Sequence, residues 1–131
     1  MFRCRLTVGH VDPGSHNALN CSARAVLNVS RESMAANGFS PATRVFEAAG
    51  AGACLITDRW AGLEQFLVPG AEALVAGDGG EVAALLQTLE PATARAIGEA
   101  AGARVLREHT YAHRAAQVEE LLAEALRVPA S

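Results

Sequence analysis

Apolar residues recur along this chain with two spacings, and the spacings divide it into alternating strands and helices. Phe2, Cys4, Leu6 and Val8 alternate with Arg3, Arg5 and Thr7, the period of two expected of a half-buried strand at a sheet edge. Residues 11–22 contain Asp12-Pro13-Gly14-Ser15 and read as turn-rich, with room for one helical turn over His16 to Cys21. Ala25 to Val29 and Ala53 to Asp58 are short apolar runs that end in polar residues, the form of buried parallel strands. Between them Ser40-Pro41 predicts an N-cap and first-turn proline, a helix runs through Phe46 and Ala49, and Gly50 or Gly52 ends it.

The alternation continues to the C-terminus. A short helix is expected over Gly62 to Leu67, a third strand over Ala73 to Val75, and a capping box, Asp78-Gly79-Gly80-Glu81, opens a helix that reaches Leu89. From Pro91 the pattern is helical, broken near Glu108-His109-Thr110, where Thr110 is a candidate N-cap for a last amphipathic helix carrying Val118, Leu121, Leu122 and Ala125, and the two C-terminal helices are expected to close the domain. Val128 to Ser131 are expected to fray. The whole is an α/β pattern, a short parallel sheet flanked by helices in one domain over residues 1–131.

Composition narrows the chemistry. Half of the residues are hydrophobic but only 5% aromatic, so the core must rest on close helix-on-sheet contacts between small side chains. A net charge of -3 provides no basic field for nucleic acid or an anionic membrane, and no apolar run is long enough to span a bilayer. All eleven positive residues are arginines, so a phosphate would have to be met by a guanidinium, a backbone N–H or a helix N-terminus. Cys4, Cys21 and Cys54 are widely spaced and odd in number, which argues against a disulfide framework and fits a reducing cytoplasm.

In a parallel sheet the loops after successive strands emerge at one edge, where such sheets bind ligands. One loop follows Val29 and runs to Gly38-Phe39-Ser40; the other runs from Asp58 through Trp60 to Gly62. Gly38 allows close backbone approach ahead of a helix whose first N–H groups favour an anion, although the same residues also suit a plain turn and cap. Arg44 and Glu47, three apart, share a helix face: a carboxylate there can accept both hydroxyls of a ribose, or the two can form an ordinary surface pair. Trp60 can stack on a base or plug the core beneath its loop. His109 and His113 are four apart, but the break at Thr110 makes a shared metal improbable, and packing or capping is the simpler role. His10 and His16 suit structural roles more often than phosphate contact, and Cys54, inside a strand, is no nucleophile. No metal or cofactor is called for.

The segment Gly38-Phe39-Ser40-Pro41-Ala42-Thr43-Arg44-Val45-Phe46-Glu47-Ala48-Ala49-Gly50, with Leu55-Ile56-Thr57-Asp58 and Trp60-Ala61-Gly62-Leu63-Glu64, resembles the C-terminal domain of GT-B glycosyltransferases of the spore-maturation CgeB-like group. The likeness extends from Gly9-His10-Val11 to Glu108-His109-Thr110-Tyr111-Ala112-His113-Arg114. It implies a Rossmann-like, nucleotide-sugar-binding domain of a glycosyltransferase, with Glu47 on the ribose hydroxyls and Gly38, Phe39, Ser40, Arg44, Asp58, Trp60 and Gly62 around the donor. The substrate is then a nucleotide-sugar and the partner an unidentified acceptor, and catalysis requires an N-terminal Rossmann-like domain for which this chain has no room. A non-catalytic binding or interaction module is the alternative. Related retaining enzymes carry an acid eight positions before that glutamate, where this sequence has Phe39. Their basic donor-phosphate pair is matched by no lysine here, leaving Arg31, Arg44 and Arg59 as substitutes.

Overall fold

A computed structural model of the chain describes residue 9 and residues 11–127. The strand expected over residues 2–8 and the frayed end at 128–131 lie outside the described residues. Within them the order is α1 (Pro13–Ser22), β1 (Val26–Asn28), α2 (Glu32–Asn37), α3 (Thr43–Gly50), β2 (Leu55–Thr57), a short 3-10 helix (Leu63–Gln65), β3 (Leu74–Val75), α4 (Gly79–Thr88), α5 (Pro91–Glu108) and α6 (Tyr111–Arg127). The three strands form a parallel sheet in the order β1-β2-β3, with Asn28 opposite Thr57 and Thr57 opposite Val75 at its carboxyl edge.

Two helices exceed the sequence expectation. α1 is a full helix of ten residues: the Asp12 carboxylate accepts the Ser15 amide at 3.1 Å and Pro13 occupies the first turn, so the residues that suggested a turn are a cap and a helix start. α2 occupies what reads as a loop, and Gly38 ends it with a φ of 64°. α3 begins two residues later than expected. Ser40-Pro41 precede it and Ala42, in extended backbone, is its N-cap, with no side-chain cap bond. The capping box at α4 forms in a shifted version. Asp78 Oδ1 accepts the Glu81 amide at 2.9 Å, while Glu81 Oε2 accepts the amide of Gly77 at 2.7 Å.

β2 is buried along its whole length, and its neighbouring residues serve two packing groups, as alternation along a strand requires. Leu55 joins Val45, Ala48 and Ala49 of α3 with Ala101 and Val105 of α5, whereas Cys54 packs with Leu89, Ala94 and Ile97. Burial pushes the Cys54 thiol above its ordinary pKa, so it remains a neutral, small apolar group. The close contact expected from the small residues is made by α5. A Cβ on Gly98 would overlap the Gly52 carbonyl, and one on Gly102 would lie 3.1 Å from the Ala49 carbonyl oxygen.

At the α5–α6 junction the His109 ring packs on Phe46 and Phe66, with centroids 5.9 and 5.5 Å away, and its Nδ1 lies 2.7 Å from Arg114 Nη2. A guanidinium can only donate, so Nδ1 accepts and the ring is neutral. Burial first, then the charges of Arg114 and Arg104, lower its pKa. The folded state thus binds fewer protons than the unfolded one, whose histidine titrates near 6.5. The stabilisation is complete above that value and is lost as the pH falls through the lower folded pKa. Thermal melts of the wild type should therefore show a decline beginning below about pH 6.5, ahead of carboxylate titration, and His109→Phe should remove that first decline.

α6 departs from expectation in one respect. Thr110 Oγ1 lies 2.7 Å from His113 Nδ1 at its start, but no residue of the helix is buried, and Val118, Leu121 and Leu122 are more than half exposed. Among the described residues the last helix does not close the domain over the core.

Candidate functional site

The carboxyl end of β1 opens onto a groove of about 530 Å³. Its floor is Asn28 and Val29 at the end of β1, and its walls are His16 of α1, Arg31 and Met34 around the start of α2, and Pro41, Ala42, Thr43, Arg44 and Glu47 of the α3 approach and helix. The position is the one open parallel sheets use for ligands, because strand ends present free polar groups while helices and loops build the sides. A second, smaller cavity of about 260 Å³ shares Asn28 and Val29 and extends toward Ala76, Gly77 and Val82. Its lining sets Leu27, Val29, Ala76 and Val82 beside the carboxylates Asp58 and Asp78 and includes no positive side chain, so the larger groove, with Arg31 and Arg44, is where an anion can be met.

α3 sets the geometry there. Val45, Ala48 and Ala49 are buried, which turns Arg44 and Glu47 outward on the opposite face, one turn apart. Neither forms an ion pair among the described residues, where the pairs are Arg59–Glu64, Arg104–Glu108 and Arg107–Glu108. A surface Arg44–Glu47 pair is therefore not formed. The uncapped start of α3 at Ala42 and Thr43 also lines the groove, adding backbone donors and the positive end of a helix dipole to the Arg31 and Arg44 guanidiniums. The groove thus offers an acceptor, Glu47, beside two fixed positive charges, an arrangement that can grip hydroxyls at one point and an anion at another.

The remaining expected residues lie outside the groove lining. Gly38, Phe39 and Gly62 form the contact between the two converging loops: the Phe39 amide donates to the Ala61 carbonyl at 2.6 Å, and its ring lies where a Cβ on Gly62 would stand, 2.8 Å from Phe39 Cε1. Phe39 is 60% exposed and has a φ of 50°, left-handed backbone that costs a phenylalanine free energy. Ser40 is exposed on the approach to α3. Trp60 is 5% exposed and its ring centroid is 5.8 Å from that of Phe66, so of its two readings the structure places it as a core plug. Arg59 is drawn to Glu64 at 3.6 Å and does not join Arg31 and Arg44. Asp58 lines the smaller cavity and holds the Ser30 turn. His10 lies outside the described residues.

Met34 and Asn28 line the groove without any sequence signal having singled them out. The run Glu32 to Asn37 before Gly38, a short helix with an acidic first turn and a glycine stop, is the local pattern from which Met34 could have been placed. No group of three or more metal-binding side chains occurs among the described residues, and none of their helices is long and apolar enough to cross a membrane.

Over residues 5–120 the sequence matches the family described as glycosyl transferase-like. No curated protein matches it significantly. Among solved structures, sucrose-phosphate synthase from Thermosynechococcus elongatus superposes with a TM-score of 0.71 at 21% identity over 91% of this chain. That likeness is one of fold, the Rossmann-like unit of a GT-B enzyme. This chain spans 29% of the length of that protein.

Proposed function

The chain belongs to the glycosyl transferase-like family, and from that premise we propose that it is the donor-binding half of a two-domain glycosyltransferase of the CgeB-like group. The observation that carries the reading is the groove in which Glu47 stands with Arg31 and Arg44 at the sheet's carboxyl edge. Glu47 accepts hydrogen bonds from the two ribose hydroxyls of a nucleotide-sugar, while the guanidiniums and the first amides of α3 meet its diphosphate.

In the transfer, the bond from the sugar's anomeric carbon to the diphosphate oxygen breaks, a bond to the acceptor oxygen forms, and the acceptor hydroxyl's proton passes to the departing diphosphate or to water. The departing diphosphate gathers negative charge, and Arg31 and Arg44 stabilise it where it develops. An N-terminal Rossmann-like domain brings the acceptor hydroxyl, so this chain supplies binding and orientation and is a poor catalyst alone. Phe39 favours a second reading. An apolar ring eight positions before Glu47, where related retaining enzymes hold an acid, suits a module that binds a nucleotide-sugar without transferring it.

Calorimetric titration with UDP-, GDP- and ADP-sugars tests the donor site. One base should bind with a dissociation constant of about a millimolar or tighter. A folded chain that binds none of the three would overturn the assignment. Sugar transfer on adding an acceptor domain separates the enzyme from the non-catalytic module.

A further inference from the structure

Arg31 reaches the groove from the first residue ahead of α2, a helix of only six residues, so its position depends on what holds the turn before it. That turn is tied to the neighbouring strand through a single carboxylate oxygen. Asp58 Oδ1 accepts from the Ser30 amide at 3.0 Å, from the Ser30 hydroxyl at 3.1 Å and from the Thr57 hydroxyl at 3.3 Å. The Thr57 hydroxyl in turn accepts from Asn28 Nδ2 at 3.0 Å, and both Thr57 and Asn28 are essentially fully buried. Asn28 and Thr57 are also register partners in the sheet, so the chain of bonds rests on its buried interior.

We propose that Asp58 is a positioning residue for anion recognition: by clamping the Ser30 turn to the end of β2 it holds the Arg31 guanidinium at the groove for the ligand's phosphates. The inference rests on the reading of the groove as a nucleotide diphosphate site. Asp58 is not placed against the ligand. Its charge strengthens the two bonds to Ser30, and both fix the residue immediately before Arg31. Without the clamp Arg31 keeps its charge but must be ordered on binding, an entropic cost paid in affinity.

A double-mutant cycle on the wild-type chain, Arg31→Ala, Asp58→Ala and the pair, read by calorimetry with UDP, GDP and ADP, separates this role from a general structural one. Arg31→Ala should weaken binding of the preferred diphosphate about tenfold, and Asp58→Ala about fivefold. In the Arg31→Ala background Asp58→Ala should change affinity by less than about twofold, because the residue it positions is gone. Asp58→Asn should recover most of the affinity, since its amide oxygen accepts the same bonds from Ser30. Ser30→Ala, which removes only the hydroxyl bond, should show the same dependence on Arg31 on a smaller scale and serves if Asp58→Ala does not fold. Losses that multiply in the double variant, or an Asp58→Ala chain that binds as the wild type does, overturn the proposal and leave the donor site standing. Failure of the wild type to bind any diphosphate removes the donor site and this role with it.

Discussion

Gly98→Ala should destabilise the domain by about 2 kcal/mol or more, even though alanine is the better helix former by about 1 kcal/mol. The added Cβ would overlap the Gly52 carbonyl and stand 2.7 Å from its carbon and 2.9 Å from the Ala53 carbonyl carbon. These are backbone atoms in the turn that leads into the fully buried β2, so no side chain can rotate away. Relief requires α5 to move outward, and Ala101 and Val105 then leave their contacts with α3 and Leu55. Thermal melts should show a midpoint lowered by roughly 5 °C or more. Gly79→Ala is the control, since nothing lies within 4 Å of a Cβ there. Equal midpoints for the two variants would show that α5 does not depend on this contact.

Glu47→Ala carries the second large effect. Two charge-assisted hydrogen bonds to ribose hydroxyls are together worth about 3 kcal/mol, so affinity for the preferred nucleotide-sugar should fall roughly a hundredfold. The side chain is exposed and makes no ion pair among the described residues, so the melting midpoint should not move. Glu47→Gln, which keeps the acceptor oxygen and loses the charge, should fall between the two. Unchanged affinity in Glu47→Ala, measured by calorimetry on a chain that melts normally, would remove the ribose from this position.

β1 and β2 were legible because each is a continuous apolar run closed by a polar residue, Asn28 and Thr57. The α4 start was legible because Asp78 and Glu81 are local signals, needing no distant partner. α1 and α2 were obscured for a physical reason. Asp12-Pro13-Gly14 suits a turn as well as a cap, and six residues without an apolar stripe do not announce a helix. α6 misled in the opposite direction, since an amphipathic pattern shows that a face can be buried and not what buries it.

The site divides along the same line. Arg44 and Glu47 were readable because their relation is set within one helix. Trp60 and Arg59 were not, because burial against Phe66 and attraction to Glu64 are decided by tertiary packing of their loop. Asp58 was readable as a conspicuous acid at a strand end. That it faces Ser30, 28 residues earlier, depends on strand order and register.

Trp60, displaced from the ligand to the core, gives the molecule an optical property. It is the only indole in the sequence, it is shielded from water, and its ring packs beside Phe66 under the loop that ends at Gly62. Its fluorescence therefore comes from one environment, with the short emission wavelength of a dry indole while the loop is seated and a longer one when water reaches it. The chain thus has a single built-in indole whose emission reports whether water reaches the contact between Trp60 and Phe66, with no dye attached.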